Sequence, residues 1–350
     1  METRVNGREN HGSLARLLGL LLLGVLASCA SDGSTPTEQP RGGSLWDRLE
    51  ANRGKRAQEV DLAAGAKDLP PGWKETIDES WAVWRKSPAD IDPMLANRGG
   101  MPADPARLSL AQQRLEAEWS LARGRWLALG PGAENLLAEN LIRWFVLSFD
   151  ASNGYEVNRA RVEMARMKDA VRPYLIEGLA ISAGDSVTRA RLAELLGYLG
   201  GGTAEVQRAY GRASSKGKIE LARALKAMKD PDSREFLMEI ADSGDPWQAR
   251  ADALTTLGVL GDPRSSDTFI ECLRDSDESV RKFAALHAGS LREPPMLLAQ
   301  ALVNVLEREL SRAGETEIAR AAANSLSRIT GRRHGADVGA WRRTLSAGGN

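Results

Sequence analysis

Cysteine and histidine are scarce in this chain, which has two cysteines and three histidines among 350 residues. A metal site needs several ligands at suitable spacing, and no group of His, Cys and Asp residues offers them. Cys272 and His287 each lie within an apolar helical pattern, which favours a structural role over catalysis. No pair of carboxylates stands apart as an acid–base pair. We therefore expect no enzyme activity, no cofactor and no metal.

An excess of positive charge is also missing. Lysines and arginines number 47, aspartates and glutamates also number 47, and the formal net charge is zero. Proteins that bind nucleic acid normally have a basic excess or a basic stripe, because release of counterions from phosphates drives binding. Acidic residues are interleaved with the arginines, which is typical of solvated helix faces. We expect no nucleic-acid partner.

A long apolar run is absent as well. The N-terminal apolar segment extends from Leu17 to Leu26 and is shorter than the roughly 20 residues that span a bilayer. Three arginines precede this segment, and the small residues Ala27 and Ser28 follow it. A charged leader, a short apolar centre and small residues before a cleavage site are typical of a secretory signal peptide, which we assign to residues 1–28.

The segment Leu26-Ala27-Ser28-Cys29 resembles the lipobox of bacterial lipoproteins. The resemblance implies that Cys29 carries the lipid, becomes the mature N-terminus and is held in the membrane by more than one acyl chain. Ala30 replaces the aspartate that often retains lipoproteins in the inner membrane of two-membrane bacteria, so the resemblance implies the periplasmic face of the outer membrane. Residues 29–69 begin with a stretch rich in Ser, Thr, Pro and Gly, and we predict a flexible tether there.

The rest of the chain has a helix-forming composition, rich in Ala, Leu, Arg and Glu. Apolar triplets at positions i, i+1 and i+4, which lie on one face of a helix, recur in steps of 29, 32, 31 and 38 residues. These triplets mark the first helix of each of several helix pairs: Leu192/Ala193/Leu196, Leu221/Ala222/Leu225, Ala253/Leu254/Leu257, Ala284/Ala285/Ala288 and Ala322/Ala323/Leu326. The long last step predicts an insertion near residues 312–317.

A second set of triplets marks the second helix of each pair. Asp262 and Pro263 have the residue types of an N-cap and a first helical position, and they precede one of these helices. Three triplets follow one another at a constant spacing of 33 residues: Phe236/Leu237/Ile240, Phe269/Ile270/Leu273 and Leu302/Val303/Leu306. An earlier triplet, Leu175/Ile176/Leu179, is a further copy. A helix pair with one apolar face cannot bury that face alone, so neighbouring pairs must stack. The predicted fold is all-α, an α-solenoid.

The stretch from Trp247 to Leu286 resembles HEAT repeats of the short bacterial type that also occurs in phycocyanobilin lyases. The resemblance extends more loosely over residues 158–330, and we assign residues 151–345 to a HEAT-like solenoid. It implies first helices on the convex side and second helices on the concave side. The chain end, "ITGRRHGADVGAWRRTL", is similar to the close of other such chains, with Trp341 expected to cap the last apolar face.

Residues 70–150 form a Trp-rich helical region, with six tryptophans from Trp73 to Trp144. Asp92-Pro93 and Asp104-Pro105 mark helix starts there. The region is either a helical cap or a set of divergent first repeats. Its tryptophans are either core residues, as is usual at helical spacing, or an aromatic platform for a ligand.

A glycine-rich segment, Leu199–Glu205, precedes a predicted helix but lacks the Lys-Ser/Thr of a phosphate-binding P-loop and follows a helix rather than a strand. We interpret its glycines as a helix stop and Thr203 as the N-cap of the next helix.

The long stacked surface without catalytic groups favours a lipid-anchored scaffold that binds a protein partner in the cell envelope. A glycan- or peptidoglycan-binding role for the Trp-rich region is the alternative, and an accessory enzyme analogous to the lyases has no residue set behind it. Six charged residues on the outer faces of the second helices are the predicted partner-binding residues: Arg234, Glu235, Glu239, Asp267, Glu271 and Arg274.

Overall fold

The computed structural model describes residues 45–47, 69–96, 104–130, 132–147 and 154–347, all within one compact unit. The predicted signal peptide, Cys29, Ala30 and most of the predicted tether lie outside the described residues. Within the described ranges every regular element is helical, which confirms the all-α prediction. None of these helices combines the length and the apolar character needed to cross a membrane.

Sixteen α-helices are numbered here in chain order, and short 3₁₀ turns precede some of them. Their bounds are α1 Trp73–Trp84, α2 Pro88–Ile91, α3 Pro105–Leu127, α4 Ala133–Leu147, α5 Gly154–Arg166, α6 Lys168–Ala180, α7 Ser186–Leu199, α8 Thr203–Tyr210, α9 Ser215–Met228, α10 Arg234–Asp242, α11 Trp247–Leu260, α12 Ser266–Cys272, α13 Glu278–His287, α14 Met296–Ala313, α15 Glu317–Thr330 and α16 Val338–Ala347.

The helices from α5 onwards stack as pairs in two layers. The first helices α5, α7, α9, α11, α13 and α15 each pack on the next, and the second helices α10, α12, α14 and α16 do the same on the other side. Apolar residues between the layers form one continuous core that extends from the Trp-rich region to Trp341. The α-solenoid follows directly from this arrangement, because each pair covers the apolar face of its neighbour.

The triplets predicted for the first helices are all buried in α7, α9, α11, α13 and α15 or at their ends, so this part of the repeat is confirmed. The 33-residue spacing is wrong by one residue between α10 and α12. Their preceding 3₁₀ turns begin at Pro231 and Pro263, 32 residues apart. With that step the buried positions correspond one to one: Phe236, Leu237, Ile240 and Ala241 in α10, and Thr268, Phe269, Cys272 and Leu273 in and after α12.

Aspartate-proline pairs begin helical segments as predicted. Asp104 accepts the backbone N–H of Ala106 at the start of α3, and Asp92 and Asp262 cap 3₁₀ turns in the same way. The prediction for Thr203 is wrong. The N-cap of α8 is Gly202, whose φ of 87° is a left-handed conformation that favours glycine. Thr203 instead donates to Asp230 Oδ2 at 2.6 Å.

The tryptophans of the N-terminal region are core residues. Trp81, Trp84, Trp119, Trp126 and Trp144 are buried, and their rings pack against one another with centroids 4.8–6.0 Å apart. Helix α4 packs against α6, so α3 and α4 continue the stack as a divergent first pair, while α1 covers α3. The aromatic platform has no support, since only Trp73 of the six is partly exposed.

A buried arginine connects this region to the repeats. Arg159 of α5 is 6 % exposed, and its guanidinium lies 4.4 Å from the ring centroid of Trp84. Its Nη1 donates to the carbonyl oxygen of Trp84 at 2.7 Å, and its Nε donates to Glu116 at 3.0 Å. A buried charge requires such partners, because desolvation without them is costly. The predicted boundary near residue 150 therefore separates two parts of one packed stack.

The prediction of a flexible tether over the whole of residues 29–69 is wrong at Trp46 and the residue before it. Leu45 and Trp46 are 2 % and 5 % exposed and belong to the hydrophobic core. The indole N–H of Trp46 donates to the carbonyl oxygen of Tyr174 at 2.9 Å. A Cβ at Gly178 of α6 would lie 2.2 Å from the indole ring, so only glycine leaves room for it. The described part of the tether is thus docked on α6.

Gly178→Ala tests this docking. The added methyl group cannot coexist with the Trp46 ring, so Trp46 is displaced and trypsin cleaves after Arg48 at least about fivefold faster. Gly124→Ala is the matched control, because Gly124 also lies inside a helix and a Cβ there meets nothing within 4 Å. That variant should be cleaved at the wild-type rate and be slightly more stable, since alanine favours helix by about 1 kcal/mol. Wild-type cleavage of Gly178→Ala would disprove the docking.

Candidate interaction surface

The outward faces of α10 and α12 carry carboxylates at equivalent positions. With the 32-residue step, Glu235 corresponds to Asp267 and Glu239 corresponds to Glu271, and all four side chains are exposed. The same two positions in α14 hold exposed amides, Gln300 and Asn304. The structure therefore places four of the six predicted partner-binding residues in two short rows along the second-helix layer.

Arg234 does not share this role. It is half-buried, and its Nη1 donates to Asp262 Oδ2 at 2.8 Å, which links α10 to the cap of α12. Its Nη2 also pairs with Glu235. Thr203 and Asp230 form the same type of link one pair earlier. Arg234 is therefore a structural connection between repeats, which the sequence indicated only through the recurring Asp-Pro pairs.

The remaining charges of the surface are available to a partner. Glu239, Asp267, Glu271 and Arg274 are exposed, and none forms an ion pair with any other residue that the structure describes. Desolvation, followed by the charge of Glu271, raises the pKa of the neighbouring Asp242. Like charges close together disfavour ionisation, so the part of this pKa shift that comes from Glu271 reflects the negative potential of the surface.

Cys272 and His287 lie in packed surroundings. The Cys272 thiol is 2 % exposed and lies 3.6 Å from the carbonyl oxygen of Ala241. Burial, assisted by the charge of Asp242, raises the pKa of this thiol to about 12, so the nucleophilic thiolate is not populated near neutral pH. Burial and nearby cations lower the pKa of His287, whose Cβ closely approaches Gly258. Among the described residues no group of His, Cys, Asp or Glu could hold a metal ion.

A row of cations in the first helices was missed at the sequence level. Each cation lies three residues before a buried triplet and contacts a segment that joins two helices, at Gly184, Asp245 or Asp275: Arg189, Lys218, Arg250 and Arg281. Arg250, for example, donates to the carbonyl oxygen of Ala241 at 3.0 Å and pairs with Asp275. The signal that could have found this row is its constant offset from the triplets.

Two aspartates on neighbouring segments should respond to pH in opposite ways. The pKa of Asp242 is raised in the folded state, so its ionisation destabilises the protein as pH rises above the ordinary value of 3.8. Desolvation opposes ionisation of Asp245, but hydrogen bonds from Lys218 at 2.6 Å and Tyr210 at 3.0 Å outweigh it and lower the pKa.

Asp242→Asn should therefore raise the melting temperature near neutral pH, with a gain that shrinks as pH falls towards the ordinary value of 3.8 and is lost below it. Asp245→Asn should lower stability near neutral pH by about 1 kcal/mol, and this loss should also shrink at low pH. Thermal unfolding of both variants across the acid range provides the measurement. Effects of the same sign for the two variants would refute this assignment.

Comparison with known proteins identifies one type of repeat in the segment that carries this surface. No curated protein matches the chain. A family model described as HEAT repeats matches residues 206–290, from within α8 to the 3₁₀ turn after α13. That range includes α10 and α12, so the candidate interaction surface belongs to a segment similar to HEAT repeats, which generally serve as protein-interaction scaffolds.

Proposed function

We propose that this chain is a lipid-anchored scaffold of the cell envelope that binds a protein partner through the second-helix layer of its solenoid. The observation that carries the proposal is the set of exposed charges on α10, α12 and the following turn that have no ion-pair partner in the described chain. Charges of this kind cost little in stability and are suited to steering and selecting a partner.

The charge of the surface supports a partner of one chemical type. Glu239, Asp267 and Glu271 outnumber Arg274, so a segment of the partner with lysine or arginine side chains complements it. The amides Gln300 and Asn304 extend the same rows without adding charge. A partner that lies along the stack would contact successive repeats at one equivalent position each, which is how solenoids bind extended chains.

The proposed anchor is Cys29, supported by the lipobox-like segment, and the docking of Trp46 limits how far the solenoid can extend from the membrane. Fifteen residues separate Cys29 from Leu45. Even a fully extended chain of this length spans at most about 55 Å, compared with about 140 Å for a tether that reached residue 70. The second-helix layer at α6 would therefore be held near the bilayer surface. The periplasmic face of the outer membrane is the proposed location, on the basis of Ala30.

Charge reversal of Asp267, Glu271 and Arg274 tests the surface. All three side chains are exposed, so stability should change by no more than about 0.5 kcal/mol. Capture of crosslinked envelope proteins from membranes should fall. A variant that unfolds would place these residues in the core, and a stable variant with undiminished capture would move the working surface elsewhere.

A matched control reverses two acids and one arginine on first helices. Glu194, Glu278 and Arg320 are exposed in α7, α13 and α15, and the contact of Glu194 with Arg161 at 3.6 Å lies at the surface, where an ion pair adds little to stability. Like Asp267, Glu278 lies in the first turn of its helix, so each triple variant removes one favourable acid from a helix N-terminus. The control variant should capture envelope proteins as the wild type does. Equal losses in both variants would show that general charge, rather than the second-helix layer, governs capture.

Cys29→Ser tests the anchor. Without acyl chains, the signal-processed protein should leave the membrane pellet after a salt wash, because no described helix can cross the membrane in its place. Cys272→Ala removes the other cysteine and should leave the protein in the pellet. Retention of the Cys29→Ser protein after the wash would disprove the proposed anchor.

A further inference from the structure

A cleft at the C-terminal end of the stack lies apart from the surface discussed above. It has a volume of about 770 Å³ and is formed where α14, the end of α15 and α16 meet. Its lining contains no acid and combines apolar residues, among them Met296 and Ile329, with the polar residues Arg332, His334, Arg343 and Thr344. The volume lies within the range of about 300–1,000 Å³ that ligand sites have.

The chain segment that supplies most of this lining is strongly basic. Residues 318–347 contain six arginines and one acid, Asp337, whereas the whole chain is neutral. Arg332 and Arg343 line the cleft, are exposed and form no ion pair with another residue in the described ranges. Asp337 lies outside the lining, and its Oδ1 accepts the backbone N–H of Ala340 at 2.8 Å. Two guanidinium groups without an ion pair at one cleft are suited to a carboxylate, which arginine binds through paired hydrogen bonds.

The polar residues between the arginines indicate what else the ligand carries. His334 Nε2 and Thr344 Oγ1 are 2.8 Å apart and both line the cleft, so one ring nitrogen of His334 has a partner. The buried ring of Trp341 packs edge-on against the ring of His334, with centroids 4.6 Å apart. A peptide backbone offers N–H and C=O groups that can hydrogen-bond with the remaining donors and acceptors of His334 and Thr344, whereas an alkyl chain offers none.

We propose that this cleft binds the C-terminal residues of a polypeptide, with the terminal carboxylate at Arg332 and Arg343 and an apolar last side chain against Met296 and Ile329. The interaction captures a free carboxylate, so it selects chain ends over internal segments. It uses residues outside α10 and α12 and does not depend on the function proposed for that surface.

Fluorescence anisotropy of the purified full chain tests the site. The probe is a fluorescein-labelled pool of hexapeptides whose last three residues are drawn from Ala, Val, Leu, Ile and Phe, with a free C-terminal carboxylate. The same pool with an amidated C-terminus should bind at least about tenfold more weakly, because it lacks the charge that the arginines recognise. No binding by the acid pool, or equal binding by both pools, would overturn the proposal.

Arg332→Gln combined with Arg343→Gln should reduce the affinity for the acid pool to that for the amide pool. Arg342→Gln is the matched control, because Arg342 is adjacent in α16 but pairs with Glu307 at 2.6 Å and does not line the cleft. It should change affinity less than about twofold. An equal loss in the control would overturn the site. Labelled dodecanoate provides a third arm, and its binding in place of the peptides would show that the occupant is a fatty acid and the proposal is wrong.

Discussion

The whole structure depends on one constraint, which is that a short helix pair with one apolar face has nothing of its own to cover that face. Triplets such as Leu254 and its neighbours in α11 are buried only because α9 and α13 pack on either side. Each pair is thus stabilised by its neighbours, and the stack must be closed at its ends. Trp341 on α16 closes one end, and α1 with the tryptophan cluster closes the other.

Polar contacts fix how the pairs sit on one another. Arg250 of a first helix pairs with Asp275 and donates to a carbonyl oxygen at the end of α10. Arg234, in the second-helix layer, donates to Asp262. Such pairs add modestly to stability because desolvation offsets much of their attraction, but they have strict geometry. Apolar faces alone would tolerate sliding, whereas these contacts are satisfied in one arrangement. Some charges that look exposed in the sequence are therefore structural, and the rest remain for a partner.

Much of the repeat was predictable because helical periodicity reports burial directly. The first-helix triplets were found in this way, as was the burial of the tryptophans by the usual rule for large aromatics. The predicted alignment of α10 with α12 was off by one residue because the apolar pattern favoured Ile270 over Thr268. Thr268 is nevertheless buried and donates to Asp242 at 3.4 Å. Trp46 could not be predicted, since its partner is a glycine 132 residues away and periodicity carries no information about a single docked residue.

The buried guanidinium of Arg159 has a practical consequence for anyone dividing the chain. A fragment starting at residue 151 would keep this cation but lose both acceptors, Glu116 and the carbonyl oxygen of Trp84. Glu163, also buried, would lose the contact with Arg123 at 3.2 Å. The face of α6 that packs on α4 would be open to water at the same time. The change in composition near residue 150 is thus a poor cutting point, and a recombinant fragment that keeps the whole described core has to begin ahead of Leu45.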